Sequence, residues 1–473
     1  MKRLHILLVA LVSAAIFLLV YSPHFNYRFP YHIDEWHHIS ESIKLKEGGY
    51  SGGITGFRFG FHVLLLGLGL FLDLVFFYKW LPAIWAVVSG LILFYVVYKK
   101  TGKFSIGLFS MIFFASIKSN VNITGLWFFS PLSFCIPFIF LYIYYFTEGI
   151  FMHNKKYILI SLGIMIFLLP IHSISVLFAI PFLGIYSLFY FNYIKKEWKF
   201  FSSFLILPVI GALFFSFMMK IPLSGVFSSL AEHLQFKTGW GVLELKNAFT
   251  EMYSLIGYIL AVAGVFMIFL FYKKPKKYTA YIIWPLWVLL LILIFRISSV
   301  SYLSPYQRNL YYFVLGMPLL SALGLYFIIE LVKPFIKFKY SKEIITVVLL
   351  LIAGFFAFKD YYDVPKQLEL YKVINDNDYE ALLFLKQFPT QRIMADPLVS
   401  VALFPITRHE PVATLAFYGN RKDSEAFFLS KDCETKMELI EKYKTRYILS
   451  KIPINCGWNL IYNKNNFIYE VPS

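Results

Sequence analysis

Charge is what this chain has least of. Only 15% of its 473 residues are Asp, Glu, Lys or Arg, while 59% are hydrophobic and 20% aromatic. A water-soluble globular protein carries about 25% charged residues, so that class is excluded. The mean hydropathy of +0.66 describes a polytopic membrane protein instead. Cysteine is scarce too, with three residues: Cys135 lies in an apolar run, and Cys433 and Cys456 share the tail. An oxidising exterior would allow those two to pair, and two unpaired thiols remain the alternative. There is no internal repeat and no low-complexity segment.

Acid is scarcer than base, 27 against 44, which leaves a formal net charge of +17. The excess could signal nucleic acid, but its placement argues otherwise. Residues 359–473 hold 15 Lys/Arg and 15 Asp/Glu, so residues 1–358 carry the remaining 29 and 12. There the bases cluster between apolar runs, at Lys99, Lys100 and Lys103; at Lys155 and Lys156; at Lys195, Lys196 and Lys199; at 273–277; and at 333–342. Such clusters mark cytoplasmic loops, because Lys and Arg resist translocation. No basic face is available for nucleic acid.

Spanning ~30 Å of hydrocarbon takes ~20 apolar residues. Apolar runs fall near 4–21, 60–78, 80–98, 104–119, 129–147, 157–172, 174–193, 200–219, 251–272, 278–296, 310–331 and 344–358, twelve in all. If all twelve crossed with Lys2 and Arg3 inside, several Lys clusters would lie outside. The run at 60–78 contains Gly67, Gly69 and Asp73 and is read as a re-entrant or interfacial segment. About 11 transmembrane helices then remain, every Lys cluster lies inside, and the C-terminal residues lie outside. The inside segments carry 18 Lys/Arg against four acids, the outside segments of the membrane part 11 against eight. The first run, preceded by Met1, Lys2 and Arg3, is read as an uncleaved anchor, since its apolar core continues to Tyr21 past the weak cleavage cue at 13–15.

The expected organisation is a membrane module over 1–358, whose first outer loop is 22–79, and an extracytoplasmic α/β domain over 359–473. In that tail, helical patterns at 379–388 and 434–443 alternate with strand-like runs at 392–395, 446–450, 459–462 and 467–471. Asn463, Lys464, Asn465 and Asn466 read as a hairpin turn. The protein is expected in the plasma membrane, multi-pass, with its N-terminus cytoplasmic.

No Asp, Glu, Lys or Arg lies in the middle of a span, which removes the commonest signature of ion-coupled transport. Polar chemistry concentrates at the outer face. The densest cluster runs from Tyr31 to His38. On a helix starting near Ile33, Asp34, His37, His38 and Glu41 share one face. A carboxylate beside imidazoles can act as a general base or hold a divalent metal; a solvated first turn of an amphipathic helix is the competing explanation. Eight of the ten histidines fall outside, five of them in this segment, which favours function.

Arg296 and Arg308 flank another outer loop, and guanidinium grips phosphate in bidentate fashion. Tyr306 and Gln307 adjoin Arg308. Interfacial snorkelling is the competing explanation, and the stronger one for Arg296. Arg58, ahead of the re-entrant run, could serve the same purpose. His172 lies in a tight outer turn, where an interface role competes with ligation.

This pattern resembles the GT-C membrane glycosyltransferases, which include oligosaccharyltransferases, protein O-mannosyltransferases and lipid A aminoarabinose transferases. The similar features are a basic N-terminus, one span, then an outer acidic pair, Asp34 and Glu35, with His37 and His38 in a long first loop. A many-span bundle follows, then an outer α/β tail. Residues 306–326 and 392–413 look like segments of such enzymes. The resemblance implies a sugar donor on a polyprenyl phosphate, a glycan, lipid or protein acceptor, and inversion at the anomeric carbon. It implies Asp34 as the catalytic carboxylate, Glu35 or the histidines as its support, and Arg308 as the donor-phosphate binder. The tryptophan-rich WWDYG signature is absent, which argues against transfer of a whole oligosaccharide to Asn. The second outer loop offers only Asn120 and Asn122 where many relatives bear acid, so a metal-independent mechanism stands beside a divalent metal. The alternatives are a lipid-linked glycan flippase or transporter, and a non-catalytic envelope protein.

Overall fold

In a computed structural model of the chain, the residues described are 3–50, 58–119, 125–203, 235–237, 249–271, 275–335, 341–359, 361, 371–415 and 418–471. Residues 204–219 of one apolar run, most of the loop at 220–250, and Asn120 and Asn122 lie outside them. The chain divides into two compact units: Met1–Val20, Ala83–Trp127 and Pro131–Val364 form one, and Tyr21–Pro82, Phe128–Ser130 and Pro365–Ser473 the other.

The molecule is mostly helical. Six helical stretches among the described residues are long and apolar enough to cross a membrane: Arg3–Asn26, Leu74–Thr101, Pro131–Phe151, Lys155–His172, Thr279–Ser298 and Tyr306–Phe335. Five shorter apolar helices accompany them, at Phe59–Gly69, Phe104–Ala115, Ile174–Leu188, Leu255–Leu270 and Glu343–Phe358. These coincide with every apolar run except 200–219. The run at 60–78 is broken by a turn at Leu70–Asp73, and Asp73 caps the next helix by accepting the Val75 N–H at 2.9 Å. The helix before the turn has 11 residues. At ~1.5 Å per residue it is about half the thickness of the hydrocarbon.

In the larger unit the helices Leu255–Phe271 and Met317–Val332 approach backbone to backbone. A Cβ on Gly324 would lie 1.8 Å from the Leu260 carbonyl oxygen, and one on Gly264 would lie 2.0 Å from that of Leu320. Without a hydrophobic driving force between helices in lipid, such close contact of small residues is what holds a bundle together.

The second unit carries a five-stranded sheet in the order Glu410–Pro411, Arg392–Ala395, Tyr447–Ser450, Phe467–Glu470, Asn459–Asn463. The first three strands are parallel and the last two antiparallel, joined by the Lys464–Asn466 turn with Asn465 at φ +60°. Met394, Ile448, Tyr469 and Phe427 fill its core, and Cys433 and Cys456 form a disulfide. Against the tail helix Ser400–Thr407 packs the helix Ile33–Glu47. Arg408 Nε meets Glu47 Oε1 at 2.8 Å, and Lys44 lies over the rings of Phe404 and Tyr418.

Candidate active site

The helix bearing the acidic pair begins at Ile33, and its start is built by its own side chains. His32 Nδ1 accepts the Asp34 N–H at 3.1 Å, while Glu35 Oε2 accepts the N–H groups of Tyr31 and His32 at 2.8 and 3.1 Å. Together these form a reciprocal capping box. Because His32 Nδ1 accepts a hydrogen bond, it carries no proton, so its 3.7 Å contact with Asp34 Oδ2 is not a charged pair.

The two acids are therefore used differently. Glu35 is 1% exposed, and its second oxygen, Oε1, accepts the N–H of Phe129 at 2.8 Å. Burial pushes its carboxyl up to about 8, with the Asp34 charge adding to the rise and the backbone donors opposing it. Tyr78 donates to the Phe129 carbonyl at 2.7 Å, so that peptide segment is held from both sides. Asp34 keeps 22% of its side chain exposed and stands beside a neutral imidazole. The rings of Phe128 and Tyr371 pack on His32.

One turn on, His38 Nδ1 lies 2.9 Å from His62 Nε2, and His62 Nδ1 lies 2.8 Å from the Tyr50 hydroxyl. His37 adjoins this chain, its ring 6.3 Å from that of His62. Burial, with the Arg58 charge adding to it, holds the His37 pKa down at about 4, against the pull of Asp34. Burial, His37 and Arg58 hold His62 at about 3. These imidazoles are neutral at neutral pH, and Arg58 is close enough to feel them. Among the described residues no three His, Cys, Asp or Glu side chains are grouped as metal ligands.

The remaining candidates belong to the other unit. Arg296 Nε donates to the Tyr306 hydroxyl at 3.0 Å, and its guanidinium lies 4.8 Å from the Phe249 ring centre. A buried knot of Ser301, Ser304 and Asn309 shapes the turn that leads into the helix Tyr306–Leu315. Arg308 and Gln307 are half-buried in its first turn. The Arg308 guanidinium has no carboxylate partner among the described residues. His172 Nδ1 lies 2.7 Å from Ser175 Oγ, which lies 3.1 Å from the Tyr312 hydroxyl, so a buried chain of hydrogen bonds runs from His172 to the helix of Arg308. The sequence singled out Asp34, Glu35 and the histidines of the first loop but missed Tyr78 and Phe129. A histidine three residues before a glutamate at a helix start is the local signal that could have found the cap.

A multi-span helical bundle with a small α/β tail is a fold that this chain shares with solved membrane-protein structures. The chain is similar to the Archaeoglobus fulgidus oligosaccharyltransferase in its apo form, with a TM-score of 0.63 and 13% identity over 95% of this chain and 70% of that one. The same enzyme tethered to an acceptor peptide containing the NVT sequon gives a TM-score of 0.60, at 13% identity, over 95% and 69%. ArnT from Cupriavidus metallidurans bound to undecaprenyl phosphate gives 0.58 at 11% identity, covering 99% of this chain and 98% of that one. At such identity the likeness is one of fold. No protein-family model matches the chain, and neither does the sequence of any curated protein.

Proposed function

We propose that this protein is an inverting membrane glycosyltransferase that moves a sugar from a polyprenyl-phosphate donor to a glycan, lipid or protein acceptor at the extracytoplasmic face. The observation that carries the reading is the fold, matched over 99% of the chain to an ArnT structure that holds undecaprenyl phosphate. In this reading about eleven helices cross, the segment 60–78 does not, the N-terminus is cytoplasmic, and the α/β tail of 359–473 is extracytoplasmic.

The residues divide the work by their geometry. Asp34 is the general base: it takes the acceptor proton as the acceptor oxygen attacks the anomeric carbon. The bond from that carbon to the phosphate oxygen breaks, and the polyprenyl phosphate leaves with the electron pair. A phosphate leaving group needs a cation more than an acid. Arg308 supplies it, with Arg296, Tyr306, Gln307 and Arg58 as further donors toward phosphate. Glu35 supports Asp34 by anchoring its helix turn, and His37, His38 and His172 are supporting groups.

The test is transfer from radiolabelled polyprenyl-phosphate sugars by purified protein in lipid. Wild type should release label from one donor, and Asp34→Asn should lower the rate by roughly 10²–10⁴-fold, the scale of a lost general base. An equal rate in both would remove Asp34 from the mechanism. Movement of donor across liposomes without a covalent product would replace the transferase by a flippase.

A further inference from the structure

The helix Ile33–Glu47 is held at its start by the Glu35 bonds, and its far end carries a buried cation. Lys44 is 7% exposed, and an ammonium taken out of water is costly unless charge is set against it. Four groups face it. Glu41 Oε1, one turn back on the same helix, lies 3.6 Å from Nζ, and Glu410 Oε2 lies 4.0 Å away. The ring centres of Phe404 and Tyr418 lie 5.1 and 4.9 Å from Nζ, within the range where an aromatic face attracts a cation. Phe404, Glu410 and Tyr418 all belong to the α/β tail, so the tail builds most of this cage. Glu410 Oε2 is itself buried, with no hydrogen bond among the described residues, and Lys44 supplies its countercharge.

The backbone of Lys44 serves the same end. Its carbonyl accepts the N–H groups of Gly48 and Gly49, the first at φ +84°, and thereby closes the helix. A cation there also complements the negative end of the helix dipole. By contrast the side chains of the Arg408–Glu47 pair are 39% and 43% exposed, and such surface pairs hold little. At ~1.5 Å per residue, the rise from Asp34 to Lys44 is about 15 Å. Fixed at both ends, this rod keeps Asp34 in one place; released at Lys44, it pivots about the Glu35 end.

We propose that Lys44 is a positioning residue for the transfer: its ammonium, seated among Phe404, Tyr418, Glu410 and Glu41, clamps the helix of Asp34 to the α/β tail. The inference rests on the reading of Asp34 as the general base. Lys44 acts through the helix rather than on substrate, and a base displaced by ~1 Å can lose about 10²-fold in rate. The tail thereby belongs to the transfer machinery without reaching the reacting atoms.

The test uses full-length protein in lipid and the transfer assay, with kcat and donor KM read separately. Lys44→Met keeps the apolar stem against the rings and removes the charge. It should lower kcat roughly 10–100-fold and leave donor KM within about threefold of wild type. Lys44→Arg should recover most of the rate. In Lys44→Ala, added propylammonium should restore part of kcat, and propanol at the same concentration should not. Glu47→Gln, which breaks only the exposed pair, should stay within about twofold of wild type. Hydrogen exchange at the amides of 34–44, measured without substrate, should quicken in Lys44→Met and slow again in Lys44→Arg. Melting temperatures identify the folded variants, and Lys44→Gln serves if Lys44→Met melts early. Wild-type kcat in a folded Lys44→Met or Lys44→Gln would overturn the proposal and leave Asp34 as the base. So would a loss that neither Lys44→Arg nor propylammonium repairs, a rise in donor KM at unchanged kcat, or unchanged hydrogen exchange. A wild type inert toward every donor would overturn the transferase reading and this inference together.

Discussion

Glu35 Oε1 accepts the backbone N–H of Phe129, 94 residues away in sequence, at 2.8 Å. The same carboxylate serves two more N–H groups at the start of the helix Ile33–Glu47. Removing it would leave three donors without partners, two of them buried and the third part-buried. Glu35→Ala should therefore destabilise the protein by about 3 kcal/mol or more, at roughly 1 kcal/mol or more per orphaned donor. Asp34→Asn, at a partly exposed position, should change stability by well under ~1 kcal/mol. Thermal unfolding in detergent separates them, and equal melting temperatures for the two variants would contradict this division of roles.

Acid should loosen the protein. The pKa values of His24, His37 and His62 are depressed below the ordinary 6.5, to about 4, 4 and 3. A depressed histidine contributes stability that is full above 6.5 and is lost as pH falls through its folded value. Glu35 acts in the opposite sense: raised from 4.5 to about 8, it contributes stability present below 4.5 and lost as pH rises through 8. Between pH 7 and pH 5 the three histidines outweigh it, at on the order of 1 kcal/mol each after allowance for partial solvent access. The melting temperature should fall over that interval, and more steeply in Glu35→Gln, which removes the opposing group. A flat or rising melting temperature would refute the assignment.

Arg308 and Arg296 should separate kinetically. Arg296 is already engaged by Tyr306 and the Phe249 ring, whereas Arg308 has no carboxylate partner among the described residues. If the proposed transfer holds, Arg308→Ala should lower kcat/KM for the donor by roughly 10–100-fold, the scale of one charge-assisted contact. Arg296→Ala should cost less. The opposite ranking would move the proposed phosphate contact toward Arg296.

Gly324→Val should abolish the native bundle, because its branched side chain would occupy space held by the Leu260 carbonyl. Gly163→Val, where a Cβ meets nothing within 4 Å, is the control. Monodisperse yield on size exclusion should collapse for the first and persist for the second.

Much of this was legible in the chain, for reasons that are local. A helix starting at Ile33 follows from the 3.6-residue spacing of Asp34, His37, His38 and Glu41. The tail strands and the turn at 464–466 follow from alternation and Asn-rich chemistry. The alternative of a solvated charged face fits less well, since His38 is 1% exposed and Glu41 4%. What stayed hidden is long-range. Spacing places Asp34 on the face of His37 and His38, but the partner that locks Glu35, the Phe129 N–H, lies 94 residues away and leaves no local trace. Likewise the bond from Arg296 to Tyr306 depends on how the turn at 299–305 folds back, with Leu303 at φ +66°. Pairing Cys433 with Cys456 required bringing the helix start at Cys433 to within 5.5 Å of Cys456, Cα to Cα.

The bond from Glu35 to Phe129 also sets a clock. The segment that carries Glu35 leaves the ribosome long before its anchor does, because the helices Leu81–Thr101 and Phe104–Ala115 are made in between. At roughly 5–20 residues per second, the 94 residues that separate the partners take on the order of 5–20 s to synthesise. Throughout that interval the turn bearing Asp34 is a nascent segment with an unfinished lock.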